Sequence, residues 1–157
     1  MKIKELLFGF AIMFLMSFIL CSKDQKIVKN EKIYKEPKNF NFKFIGYDIN
    51  INNPEKDRRS YYQVFIDKIE SGRTTIGLES QLKTFEYKID SNRHLLMVKK
   101  WALDEKKGKY YKLNNIEQPK PNYIYFNMPK DKVIVITLVN DVLKNISSFK
   151  INFEFAD

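Results

Sequence analysis

A single cysteine, a single histidine and a group of lysines set among aromatic rings are the side chains of this sequence that could do chemistry. Cys21 is the only cysteine. It ends an apolar run, Leu6 to Leu20, that follows Lys2 and Lys4, and after it Ser22-Lys23-Asp24-Gln25-Lys26 turns the chain polar at once. Basic start, apolar block and polar continuation are the order of a secretory signal peptide. A cysteine at that junction implies cleavage just before it and lipid on its thiol, so residues 1–20 read as a lipoprotein signal peptide and Cys21 as the lipid attachment. The block is shorter than the roughly 20 residues a helix needs to cross a bilayer core, which leaves a transmembrane anchor as the lesser alternative. Leu20 stands where most bacterial lipoproteins carry Ala, Gly or Ser, so the processing motif is a loose one.

Other catalytic chemistry is poorly served. Any Ser-His-Asp arrangement must pass through His94, the only histidine, and no nucleophile elbow accompanies it. With Cys21 acylated, no thiol nucleophile remains, and zinc lacks the several His and Cys ligands that it prefers. Carboxylates such as Asp104, Glu105, Glu154 and Asp157 are scattered and do not follow an EF-hand spacing. Five glycines form no phosphate loop and no dinucleotide fingerprint. The expectation is no enzyme, no metal and no cofactor.

The basic-aromatic group is the candidate binding site. Lys99-Lys100-Trp101 and Lys106-Lys107-Gly108-Lys109-Tyr110-Tyr111-Lys112 flank one hairpin, predicted to close at residues 104–108. Lys99, Lys100, Lys106, Lys107, Lys109, Tyr110, Tyr111 and Lys112 would then gather at one end and attract a polyanion in a salt-dependent way. Export takes the chain away from nucleic acid, so a host glycosaminoglycan or protein is the expected partner. The competing interpretation is a solvated turn with Trp101 turned into the core.

Positioning these groups falls to strands. Residues 21–39 form a tether, with Lys23, Lys26, Lys29, Lys32, Lys35 and Lys38 repelling one another and Pro37 discouraging helix. From Phe40 the period is two: Phe40, Phe42 and Phe44 share a face, as do Phe149, Ile151, Phe153 and Phe155. Val133-Ile134-Val135-Ile136 is continuously apolar, as in a strand covered on both faces. Residues 114–122, with Pro119 and Pro121, read as a loop crossing between sheets, and 140–146 has room for one helical turn. Residues 40–157 are therefore expected to be all-β, an antiparallel β-sandwich or partly open barrel of eight or nine strands. A length of 157 residues and a net charge of +9 fit one such domain. Lysine greatly outnumbers the four arginines (Arg58, Arg59, Arg73, Arg93), so part of that charge reflects an AT-rich codon bias.

The loose motif ending at Cys21, the lysine tether and the Lys-, Asn- and Phe-rich β domain resemble the small lipoproteins of Borrelia. Lys100-Trp101-Ala102-Leu103-Asp104-Glu105-Lys106 and Asn114-Asn115-Ile116-Glu117-Gln118-Pro119-Lys120-Pro121-Asn122-Tyr123-Ile124-Tyr125 are similar to the S2-antigen-like group among them. The resemblance implies a membrane-anchored, surface-exposed antigen at the outer membrane and no enzyme. It carries over no functional residue beyond Cys21. A periplasm-facing lipoprotein that binds lipid between its sheets or assists envelope assembly is the alternative.

Overall fold

Alternation writes the first strand. Phe42 and Phe44 point inward while Lys43 and Ile45 point outward, because successive side chains leave a strand on opposite faces. The computed structural model describes residues 40–155, so the signal peptide, the tether and Cys21 lie outside the described residues.

Ten strands follow in order: β1 (Phe42–Ile49), β2 (Arg59–Ile66), β3 (Ile69–Arg73), β4 (Gly77–Leu78), β5 (Lys83–Tyr87), β6 (Arg93–Asp104), β7 (Lys109–Lys112), β8 (Tyr123–Asn127), β9 (Lys132–Asp141) and β10 (Ile146–Phe155). One sheet runs β10-β9-β1-β5 and the other β3-β2-β6-β7, with β4 on β2 and β8 on β6. Neither sheet closes on itself, and the fold is an all-β sandwich. Every pairing is antiparallel except β1 with β9. Between these two parallel strands the chain visits the second sheet twice, as β2–β4 and as β6–β8, with β5 in the first sheet between the visits.

The core lies between the sheets and is filled by side chains. Phe42 stacks on Phe126 with ring centroids 5.5 Å apart, and Phe44 meets Tyr62 edge-on at 5.7 Å. Each pair joins one sheet to the other, and such contacts are worth about 0.5–1.5 kcal/mol beyond area burial. Val133, Ile134, Val135 and Ile136 are all buried, as their unbroken apolar run implies.

Asp67 and Lys68 both take positive φ and fold a two-residue hairpin turn between β2 and β3. Ser71 and Gly72 lie inside β3. Two local features depart from the reading of the sequence. Residues 114–122 do not cross between sheets, for β7 and β8 both pair with the long strand β6. Between them the Gln118 side chain completes the ladder: it accepts from the Lys100 N–H at 2.8 Å and donates to the carbonyls of Lys100 and Leu113 at 2.9 Å. Finally, 142–145 is a hairpin turn without helix, held by the Lys144 N–H donating to Asp141.

Candidate functional site

Strand alternation sorts the lysine–aromatic group into two environments. On β6 the odd-numbered residues face solvent and the even-numbered ones face the core. Lys99 and Trp101 are therefore on the outer face, and Lys100 is not. Lys100 is 2% exposed and pairs with Asp48, and at 2.8 Å with Glu79. Its place among the solvent-facing ligand lysines is thus corrected: a polyanion cannot reach it.

Most of the others gather, Tyr111 excepted. The hairpin closes at 104–108, with Asp104 opposite Lys109 and Trp101 opposite Lys112. Lys106, Lys107 and Lys109 are exposed at its tip. Asp104 shapes that tip by accepting from the N–H groups of Lys106 and Lys107 at 3.1 and 3.2 Å. Tyr110 meets Tyr61 edge-on at 5.2 Å. Tyr111 falls on the opposite side, where its hydroxyl accepts from Arg58 at 2.8 Å. Trp101 is turned outward rather than into the core; it stacks on Tyr61 at 5.9 Å and donates to Gln63.

A wider surface emerges that sequence spacing alone did not reveal. Residues directly opposite on paired strands share a face. Tyr123 and Tyr125 of β8, opposite Met97 and Leu95, therefore continue the aromatic face and are more than half exposed. Three cations lie over rings on this face: Arg73 over Tyr61 at 5.6 Å, Lys99 over Phe65 at 4.6 Å and Arg93 over Tyr125 at 5.0 Å. The period-two aromatics of 61–65 and 123–125 carried the signal, but only the sheet order puts them on one face.

His94 sits in the core beneath this face, packed against Phe126, and makes a structural clamp. Its Nδ1 lies 2.7 Å from Asp67 and its Nε2 lies 3.0 Å from the Asp90 carbonyl. Both ring nitrogens thus face acceptors, which only the doubly protonated imidazolium satisfies. Burial lowers the His94 pKa, but the hydrogen bonds to Asp67 and Asp90 and their charges outweigh it and hold the pKa above 6.5. A base raised in the folded state adds stability that is complete below the unfolded pKa and fades as pH rises through the folded one. Urea unfolding between about pH 5.5 and 8.5 should show stability falling with pH, and His94→Gln should remove that slope.

A second constellation, invisible as a motif, lies at the far end of the interior. Asp48 of β1, Glu79 after β4, Lys83 of β5 and Lys100 of β6 are all buried. Asp48 accepts from the Tyr62 hydroxyl at 3.0 Å and from Asn140 at 3.2 Å besides Lys100. Glu79 accepts from Arg58 at 3.1 Å and forms an ion pair with Lys100 at 2.8 Å. The Lys83 ammonium spends all three donors on the carbonyls of Leu78, Glu79 and Gln81, at 2.8–2.9 Å. Burial pulls the Lys83 pKa down to about 8, with Asp48 opposing. Burial and then Asp48 push the Tyr62 phenol well above its usual 10. Among the described residues no group of three or more His, Cys, Asp or Glu side chains is placed to hold a metal ion. Compared with family models, curated proteins and solved structures, the chain matches none.

Proposed function

We propose that this chain is an exported bacterial lipoprotein, acylated at Cys21 and displayed at the cell surface on its lysine tether, whose sandwich binds a sulfated polyanion such as a host glycosaminoglycan. The observation that carries the binding half is the outer face of the β3-β2-β6-β7 sheet. The stacked Tyr61 and Trp101 lead toward a hairpin tip bearing Lys106, Lys107 and Lys109, and three cation–ring pairs extend the same face along β6 to Arg93 at its far end. Flat rings offer stacking surfaces to sugar rings, while the cations meet sulfate groups, and export excludes nucleic acid as the polyanion. The anchoring half rests on the order of residues around Cys21 and on the resemblance to S2-antigen-like lipoproteins. Lipid binding between the sheets has less support, since aromatic and aliphatic side chains fill that space.

Heparin retention of the detergent-solubilised chain tests this reading. Replacing Lys106, Lys107 and Lys109 by Gln should make the plot of log affinity against log salt shallower by about 0.7–0.9 per lost contact. Trp101→Ala should weaken binding at every salt concentration while leaving that slope unchanged. Protease treatment of intact cells should remove both the chain and its heparin binding. Retention unaffected by either set of substitutions would sink the assignment of this face.

A further inference from the structure

Among the described residues β10 is the longest strand at an open sheet edge, and it lacks the devices that keep most edges from pairing. The other edge strands are short: β3 and β5 have five residues each and β7 has four. β10 has ten, in continuous register with β9. Short, bulged or inward-charged edges discourage strand addition. On the core side of β10 stand Ser147, Phe149, Ile151, Phe153 and Phe155, none of them charged. Ile151, Phe153 and Phe155 are exposed, although they share the face on which Phe149 packs against the core.

The backbone of this edge has a direction. Ser147 donates its N–H to the Lys120 carbonyl at 2.7 Å, away from β9. In an antiparallel ladder, residues two apart turn their backbone groups the same way. Phe149, Ile151, Phe153 and Phe155 therefore present N–H and C=O outward, where no described strand pairs with them.

An identical strand lying antiparallel across a twofold axis fits this edge in one register. Lys120 already occupies the backbone of Ser147, so the longest ladder runs from Phe149 to Phe155 and centres on Asn152. That register sets Phe149 opposite Phe155, Ile151 opposite Phe153 and Lys150 opposite Glu154. The first two are hydrogen-bonded pairs, whose side chains pool into one apolar face. The third matches opposite charges at a closer, non-hydrogen-bonded position. Backbone direction, apolar face and charge thus agree on a second copy of the chain as the occupant.

We propose that the protein self-associates through β10, two four-stranded sheets joining edge to edge about a twofold axis at Asn152. An isologous contact of this kind closes on itself and stops at the dimer. It uses the sheet that does not carry the polyanion-binding face and does not depend on that face.

Oxidative cross-linking of the detergent-solubilised full chain provides the test. Asn152→Cys puts two thiols opposite each other at the axis, where paired Cα atoms lie about 4.5 Å apart, within disulfide reach. Ser148 is also exposed on that face, but its two copies would stand about 26 Å apart. Asn152→Cys should therefore form disulfide dimers, and Ser148→Cys no more than the wild-type chain, whose sole cysteine is Cys21. Lys150→Glu in the Asn152→Cys chain sets like charges opposite at both symmetric positions and should slow cross-linking at least about tenfold. Adding Glu154→Lys should restore it. Sedimentation of the two charge variants without the added cysteine reads the same association independently. Three results would each overturn the proposal. One is Asn152→Cys cross-linking no faster than Ser148→Cys, as when another segment or another protein covers this edge. The others are association indifferent to Lys150→Glu, and a charge swap that fails to restore what Lys150→Glu removes.

Discussion

Lys100→Ala is expected to lower the unfolding free energy by about 3–5 kcal/mol, the usual loss when one partner of a buried ion pair is removed. The ammonium is the group Asp48 and Glu79 share, and all three side chains are 6% exposed or less. Without it, Asp48 keeps only the Tyr62 hydroxyl and Asn140, and Glu79 keeps Arg58. Two carboxylates would then face each other across space that water reaches poorly. Lys106→Ala, on the exposed hairpin tip, should change stability by no more than about 0.5 kcal/mol. Urea denaturation of the two variants makes the comparison. Similar midpoints would mean that Lys100 is solvated and that the buried cluster does not exist as described.

Gly46→Ala should cost about 1–3 kcal/mol through overpacking. Gly46 lies mid-strand in β1, where a glycine marks close approach by a neighbour. A Cβ there would come within 2.6 Å of Tyr62 Cε2 and 3.1 Å of Phe44 Cζ. The Tyr62 ring cannot simply swing away, because it is fully buried and its hydroxyl is tied to Asp48. The penalty should therefore shrink when Tyr62 is first shortened to Leu, and a double-mutant cycle by thermal unfolding reads that coupling. Strict additivity of Gly46→Ala and Tyr62→Leu would show that the ring is not what excludes the methyl group.

Much of the scaffold was legible because its signals are local. Phe42 and Phe44 are buried and alternate with outward residues, and the Asp104 turn closes its hairpin where turn chemistry placed it. β10 shows how far the pattern reaches. Phe149, Ile151, Phe153 and Phe155 do share a face, opposite Leu138, Ile136, Ile134 and Lys132. Only Phe149 packs against the core, however, while Phe153 and Phe155 are 55% and 77% exposed at the sheet edge. Periodicity tells which side chains lie together, and it is silent on what covers them. The candidate sites were less legible still. Lys100 looks like one more surface lysine beside Lys99, and its charge hides the fact that strand alternation turns it inward. Asp48, Glu79 and Lys83 give no spacing signal, since they come from separate strands and a loop.

The amino-acid order by itself determined the all-β class, most strand positions, the lysine hairpin and the expectation of export and acylation at Cys21. Each follows from interactions within a dozen neighbouring residues: side-chain alternation, turn preference, and the contrast of an apolar block with a polar sequel. Tertiary structure decided the rest. It set β1 parallel to β9, joined three cation–ring pairs into one face, and enclosed Asp48, Glu79, Lys83 and Lys100 between the sheets. Charges enter an interior only where partners from distant strands offset the loss of water. That compensation belongs to the packed sheets, and no single stretch of the chain encodes it.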